Sequence, residues 1–146
     1  MKIFIGADHR GFELKEKIKK WLSELDREFE DCGAYEYDKD DDYPDFAKAV
    51  AKSVLGHSMS KSRGILICGS GVGVTITANR FKGIRAALGF NPNQIRDSVN
   101  DEDANILAIS ANYTQENEVR EIVKSFLETK FSGEERHIRR INKLDV

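Results

Sequence analysis

A chain of 146 residues, 40% of them hydrophobic, suits one domain with a substantial core, so we predict a single domain over residues 1–146 with a C-terminal helical tail from about residue 133. The net charge of −2 provides no basic field for nucleic acid, and no run approaches the roughly 18 apolar residues of a membrane span. The cysteines, Cys32 and Cys68, fit neither a zinc motif nor a disulfide framework, and we see no secretory signal. We therefore expect a cytoplasmic protein with no nucleic-acid or membrane partner.

The first part of the chain predicts a strand followed by an amphipathic helix. Lys2–Gly6 is an apolar run that ends at a polar loop containing Asp8 and His9. From Phe12 to Leu25 the apolar residues fall on one face of a helix. The lysines on the other face predict a solvated helix surface: Lys15, Lys17, Lys19 and Lys20.

The next segment predicts an edge strand, an acidic loop and a second helix. Glu28–Cys32 alternates weakly between apolar and charged residues, which suits a strand at the edge of a sheet. The acidic run Asp38–Asp45 has neither a histidine nor the glycine of a calcium loop, so a solvated loop is favoured over a metal site. Pro44 is typical of the first turn of a helix.

The strongest signal lies at Gly64–Thr75, an apolar run that ends at Cys68 and a glycine-rich turn. Its unbroken apolar residues predict a parallel strand that is buried on both faces. The turn then leads into a predicted helix over residues 72–80. Backbone amides at a helix start stabilise negative charge, which makes Cys68 a candidate thiolate and Ser70 a candidate proton carrier. The alternative is that Cys68 only completes a buried strand.

The rest of the chain continues the alternation of strands and helices. Ile84–Leu88 and Asn105–Ser110 are predicted strands, Pro92–Val99 a short helix, and Thr114 the cap of a further helix. This alternation predicts an α/β fold, a doubly wound, mainly parallel five-stranded sheet with helices on both faces, Rossmann-like. Ligands of such sheets bind beyond the carboxyl ends of the strands. Four candidate site residues fall at that edge: Asp8, His9, Cys68 and Ser70.

Two further motifs bear on the ligand. The dinucleotide pattern requires a glycine where Val74 stands, and a P-loop requires a Gly-Lys pair that the turn lacks, so a nucleotide-binding domain is a weaker alternative and we expect no cofactor. In the tail, Arg136 and Arg140 are four residues apart, so in a helix they share a face and can clamp one phosphate. A basic helix end paired with Glu134 and Glu135 is the open alternative.

Taken in order, these motifs resemble the type B ribose-5-phosphate isomerase family, which includes related phosphosugar isomerases of the galactose-6-phosphate type. The resemblance runs nearly end to end. It is carried by Ala7–His9, Asp42–Asp45, Gly64–Gly73, Ala78–Arg80, Gly83–Ala87, Ala104–Ala108 and the Arg136-His137 tail.

The resemblance implies a metal-free aldose–ketose isomerase that interconverts ribose 5-phosphate and ribulose 5-phosphate through a cis-enediolate. Cys68 matches the family's base and Ser70 its proton-shuttling hydroxyl. Asp8 and His9 would contact the sugar and its ring oxygen, and Tyr43 would line the pocket. Backbone amides would hold the enediolate oxygen, from Gly69, Gly71, Val72, Gly73 and Val74.

The resemblance also implies a homodimer or a dimer of dimers with sites at the subunit interface, where Arg136 and Arg140 would hold the phosphate. Three positions depart from the family. Asp101 stands in the place of the ring-opening histidine, Glu102 in that of the neighbouring asparagine, and Asn112 in that of a phosphate-binding arginine.

The resemblance assigns these three positions to the partner's contribution. The changes make the site more negative by about two charge units, which weakens phosphate binding. An isomerase of another sugar or hexose phosphate and a non-catalytic sugar-phosphate-binding relative are therefore kept as alternatives. Asp101 or His9 would then supply the ring-opening step.

Overall fold

A parallel sheet forms the centre of the computed structural model, which describes residues 1–58 and 61–145. Its strands are β1 (Lys2–Ala7), β2 (Phe29–Asp31), β3 (Ser62–Cys68), β4 (Ala86–Leu88) and β5 (Ile106–Ser110). The helices are α1 (Phe12–Glu24), α2 (Tyr43–Gly56), α3 (Val72–Ala78), α4 (Pro92–Glu102), α5 (Glu116–Glu128) and α6 (Glu135–Ile141). The strand order is β2-β1-β3-β5-β4, and every neighbouring pair is parallel. The predicted α/β fold is confirmed, including the edge position of the second strand.

The sheet is covered by apolar residues on both faces because successive side chains of a strand point to opposite sides. In β3, Ile65 and Ile67 pack into a cluster with residues of α1, α4 and α5. Leu66 and Cys68 pack into a second cluster with residues of α2 and α3. The predicted burial of β3 on both faces is therefore confirmed.

The two central strands create the ligand-binding edge. The chain passes from β1 to β2 at one edge of the sheet, and from β3 to β4 at the opposite edge. The connections after β1 and β3 therefore diverge, which opens a crevice beyond their carboxyl ends. At its opposite end β3 is anchored to α5, because the Arg63 guanidinium donates to the carbonyl oxygens of Phe126 and Thr129.

Several local predictions need correction. The strand predicted from Ile84 begins at Ala86, and α4 continues to Glu102, where Asp103 ends it in a left-handed conformation at φ 49°. The N-cap of α5 is Gln115 rather than Thr114, and its side chain makes no capping hydrogen bond. Among the described helices, none is long and apolar enough to cross a membrane.

The prediction that the α1 lysines are solvated is wrong for Lys15, whose side chain is completely buried. Its Nζ lies 2.7 Å from both carboxylate oxygens of Asp31 and 2.6 Å from the carbonyl oxygen of Ala34. A buried ammonium group is stable only when it is paired in this way. Lys19 also bonds to Asp31, at 2.7 Å, so the carboxylate at the end of β2 joins two lysines of α1.

Candidate active site

A cleft of about 520 Å³ lies beyond the carboxyl ends of β1 and β3. It brings together nine of the predicted site residues: Asp8, His9, Tyr43, Cys68, Gly69, Ser70, Val72, Gly73 and Asn112. They come from the loop after β1, the first turn of α2, the turn after β3 and the loop after β5. The edge of the sheet predicted to bind a ligand therefore carries the cleft.

Cys68 is the last residue of β3 and is only 4% exposed. Its carbonyl oxygen accepts a hydrogen bond of 2.9 Å from the backbone N–H of Ala111, which prolongs the pairing of β3 with β5. The carbonyl oxygen of Gly69 accepts bonds from the N–H of Asn112 at 2.9 Å and from Oγ of Ser110 at 2.8 Å. The backbone at and after Cys68 is therefore fixed to residues 110–112.

The turn after Cys68 leads directly into α3. Gly71 has φ 76°, a left-handed conformation that only glycine adopts easily. The backbone N–H of Val72 donates to Oγ of Ser70 at 3.2 Å, so the hydroxyl hydrogen of Ser70 remains available to a ligand. Gly71 and Val74, which were also predicted to belong to the oxyanion hole, are buried and do not line the cleft.

Asp8 is a buried carboxyl group, 5% exposed, at the floor of the loop after β1. One of its oxygens accepts hydrogen bonds from the backbone N–H groups of Arg10 at 3.0 Å and Gly11 at 3.1 Å. Burial raises the pKa of Asp8, and the bond from Gly11 opposes this only in part. A carboxyl group with a raised pKa can hold and release a proton closer to neutral pH than an ordinary aspartate.

His9 is fixed by Asp41, a residue of the acidic run between β2 and α2. Oδ1 of Asp41 lies 2.9 Å from the backbone nitrogen of His9 and 2.7 Å from its Nδ1. Since a carboxylate only accepts, Nδ1 carries the hydrogen and Nε2 is left for the cleft. The Asp41 side chain is only 9% exposed, so the prediction of a solvated acidic loop is wrong at this residue.

Donor atoms of Asp8, His9 and Asp41 lie within 4.8 Å of one another, close enough for the three side chains to hold a metal ion. The second oxygen of Asp41, Oδ2, is buried and has no hydrogen-bond partner among residues 1–58 and 61–145. Here a carboxylate, an imidazole and a second carboxylate meet at the base of the cleft. This group can transfer protons, because it combines two carboxyl groups with an oriented imidazole.

Four predicted residues lie away from the cleft of their own chain. Asp101 and Glu102 end α4, and Glu102 lines a separate groove of about 430 Å³. Arg136 and Arg140 lie on α6 and are exposed, and Nε of Arg136 pairs with Glu134 at 2.9 Å. Asn112 behaves differently, because it lines the cleft of its own chain, although the resemblance assigned its position to a partner.

Sequence reasoning missed Arg10, Asp41, Ile76 and Tyr113, which also line the cleft. Asp42 lines it too, but the sequence analysis used it only as part of the motif Asp42–Asp45 and gave it no role. Arg10 had a usable signal, since it directly follows Asp8 and His9 in the same loop. The other three had none, because a residue of an acidic run and two apolar surface residues carry no distinguishing pattern.

The comparisons with known proteins agree with this geometry. The family model described as Ribose/Galactose Isomerase matches residues 3–144. The chain belongs to the ribose/galactose isomerase family. Among curated members of that family, it is 42% identical to a probable ribose-5-phosphate isomerase B of Mycoplasma genitalium, over 97% of this chain and 92% of the relative. It is 40% identical to a putative sugar phosphate isomerase of Bacillus subtilis, over 99% of this chain and 95% of the relative.

Solved structures of ribose/galactose isomerases share the fold closely. A ribose 5-phosphate isomerase from Thermotoga maritima matches with a TM-score of 0.92 and 45% identity, over 99% of this chain and 97% of that one. The Mycoplasma genitalium enzyme, solved with bound ribulose-5-phosphate, matches with a TM-score of 0.93 and 41% identity, over 97% of this chain and 92% of that one. The predicted family is confirmed.

Proposed function

We propose that this chain interconverts ribose 5-phosphate and ribulose 5-phosphate. The observation that carries the proposal is the cleft itself, where the buried thiol of Cys68 lies with Asp8, His9 and Ser70 at the carboxyl ends of β1 and β3. The similar enzyme of Mycoplasma genitalium has been solved with ribulose-5-phosphate bound, which supports this choice of substrate.

Cys68 acts as the base of the reaction. As a thiolate it removes the proton from carbon 2 of the open-chain aldose, which forms a cis-enediolate, and the resulting thiol returns a proton to carbon 1. The hydroxyl of Ser70 passes a proton between the oxygens on carbons 1 and 2. Backbone N–H groups of residues 69–74 donate to the enediolate oxygen.

Ring opening precedes this step and needs a proton donor and a proton acceptor at the ring oxygen and the anomeric hydroxyl. Asp8 and His9 fill these roles, because Asp8 has a raised pKa and Asp41 binds Nδ1 of His9, which leaves Nε2 for the ligand. Tyr43 forms the wall of the pocket.

A second copy of the chain completes the site in this proposal. Asp101, Glu102, Arg136 and Arg140 lie outside the cleft of their own chain, where they contribute nothing to its ligand. Apolar side chains beside the cleft are exposed, among them Ile76 at 53% and Tyr113 at 83%, and a partner would cover them. We therefore propose a homodimer or a dimer of dimers, located in the cytoplasm, that binds phosphate with Arg136 and Arg140 of the second copy.

The test of the catalytic base is Cys68→Ala. Proton NMR of ribose 5-phosphate in heavy water follows deuterium incorporation at carbon 2 and formation of the ketose. We expect turnover to fall about a thousandfold, because the substitution removes the proton acceptor. Cys32→Ala is the matched control and should leave turnover unchanged, since Cys32 does not line the cleft.

Retained turnover in Cys68→Ala would refute the assigned base. A wild-type protein that binds ribose 5-phosphate in calorimetry without exchanging the carbon-2 proton would instead identify the chain as a non-catalytic relative. A wild-type protein that turns over a different sugar phosphate from a panel would correct the substrate.

The test of the shared site is recovery of activity on mixing. Cys68→Ala and Arg140→Ala proteins are each expected to be poorly active, but a mixed dimer has one intact site, so unfolding and refolding an equal mixture should restore about a quarter of wild-type activity. The control mixes Cys68→Ala with Ser70→Ala, whose lesions fall in the same cleft, and should restore none. Equal recovery in both mixtures, or in neither, would contradict a site shared between two chains.

A further inference from the structure

Arg10 is a cleft residue that the proposed mechanism does not use. It follows His9 in the loop after β1, and its backbone N–H is held by a carboxylate oxygen of Asp8 at 3.0 Å. Its side chain is exposed, lines the cleft, and makes no hydrogen bond or ion pair within the part of the chain that the structure describes. Arginine has five N–H donors, so this side chain reaches the cleft with its donors unoccupied.

A second donor lies beside the Arg10 side chain, above the turn that follows Cys68. A Cβ atom added to Gly69 would lie 3.2 Å from Nη1 of Arg10 and 2.9 Å from Nδ2 of Asn112. The guanidinium and the amide therefore converge on the same side of the turn. A side chain at residue 69 would enter the space that they share.

Charge makes Arg10 decisive for a phosphorylated ligand. The residues that line the cleft include three carboxylates, Asp8, Asp41 and Asp42, and among the described lining residues Arg10 is the lone lysine or arginine. Without it, the cleft of one chain would repel a phosphate dianion. A guanidinium matches the oxygens of a phosphate with two parallel N–H bonds, and the amide of Asn112 can add a third.

We propose that Arg10 supplies the positive charge that holds the phosphate at this end of the cleft, beside Asn112, which stands where the resemblance puts a phosphate-binding arginine. The assignment deepens the proposed function and rests on it for the identity of the sugar. It also gives the anion a contact within the chain that supplies Cys68, in addition to the arginines proposed to come from a second copy.

The test is Arg10→Met, which keeps the length of the side chain and removes its charge. We expect the KM for ribose 5-phosphate and the inhibition constant for inorganic phosphate to rise together, by about 10-fold to 100-fold, which is the usual effect of losing hydrogen bonds to a charged group. The kcat/KM for unphosphorylated ribose should stay unchanged. Arg10→Lys should recover part of the phosphate affinity, since it restores the charge without the fork.

Lys17→Met is the matched control. Lys17 is a cation of the neighbouring helix α1 that pairs with Glu116 at 2.9 Å and lies outside the cleft, so its loss tests for a general effect of charge. It should leave both phosphate constants unchanged. An equal effect of both substitutions would overturn the proposal, as would an Arg10→Met protein with wild-type affinity for inorganic phosphate.

Calorimetry with inorganic phosphate separates this proposal from the proposed function, because binding needs no turnover. If the wild-type protein binds phosphate through Arg10 but does not isomerise ribose 5-phosphate, the anion site stands and the isomerase assignment fails. If it isomerises ribose 5-phosphate and Arg10→Met binds phosphate normally, the isomerase assignment stands and the anion site fails.

Discussion

Two groups of buried or mostly buried charges lie at the carboxyl ends of β1 and β2, and they differ in how completely their charges are paired. At the end of β2, Asp31 bonds to Lys15, to Lys19 and to the backbone N–H of Gly33. In the cleft, Asp8 and Asp41 lie against one imidazole, that of His9, and one carboxylate oxygen of Asp41 has no partner among the described residues.

The difference gives the two groups different roles, because one stabilises the fold and the other can transfer protons. A buried carboxylate that is bonded to two ammonium groups has no unpaired oxygen to offer a ligand. Its role is to hold α1 against β2. An incompletely paired group costs stability, but it leaves proton-carrying atoms available to a substrate. Charged residues therefore serve as a clamp between α1 and β2, formed by Asp31 with Lys15 and Lys19, and as reactive groups in the cleft.

Lys15→Met should have the larger effect on stability. It leaves the carboxylate of Asp31 buried without its most deeply buried partner, so we expect the free energy of unfolding in urea to fall by about 3 kcal/mol. Activity per folded molecule should be unchanged, because Lys15 does not line the cleft. Lys17→Met, on the exposed side of the same helix, should unfold like the wild type. A loss of activity beyond the loss of folded protein would show that the clamp and the cleft are coupled.

A smaller effect should appear in the pH dependence of stability, with opposite signs for the two carboxylates. Burial tends to raise the pKa of Asp31, but its bonds to Lys15 and Lys19 outweigh this and hold the pKa below its ordinary value. Its stabilisation is therefore present above about pH 4 and is lost as the pH falls through the folded-state pKa. Burial raises the pKa of Asp8. Its stabilisation is present below about pH 4 and is lost as the pH rises through the folded-state pKa.

Asp31→Asn and Asp8→Asn check these signs by urea unfolding from acidic to neutral pH. Asp31→Asn should lose less stability than the wild type on acidification. Asp8→Asn should gain stability relative to the wild type between about pH 4 and pH 7, since its amide keeps the bonds from Arg10 and Gly11 without ionising. Curves parallel to that of the wild type would contradict the assigned pKa shifts.

The fold was readable from the sequence because each central strand is buried on both faces. Such strands are unbroken apolar runs, and the residues that follow them, such as Asp8 and Cys68, must meet at one edge of a parallel sheet. That reasoning needs only local patterns, and it found the part of the cleft that follows strand ends.

The misread residues owe their positions to partners far along the chain. Lys15 bonds to a carboxylate 16 residues away, and Asp41 to a histidine 32 residues away. Helical periodicity and an acidic run treat every charge alike, so neither shows which one is buried. Asn112 is a different case, because a family resemblance gives roles but not which chain's cleft a loop faces, and Asn112 lines the cleft of its own chain.

Arg63, which is anchored to the end of α5, marks the end of β3 that lies opposite the cleft. Because β3 has seven residues, and a strand rises about 3.3 Å per residue, roughly 20 Å separates that end of the strand from Cys68. The exposed Lys130 lies in the same groove as Arg63. A resin or an electrode coupled through Lys130 would attach to the end of the sheet opposite the cleft and leave the cleft open to the surrounding solution.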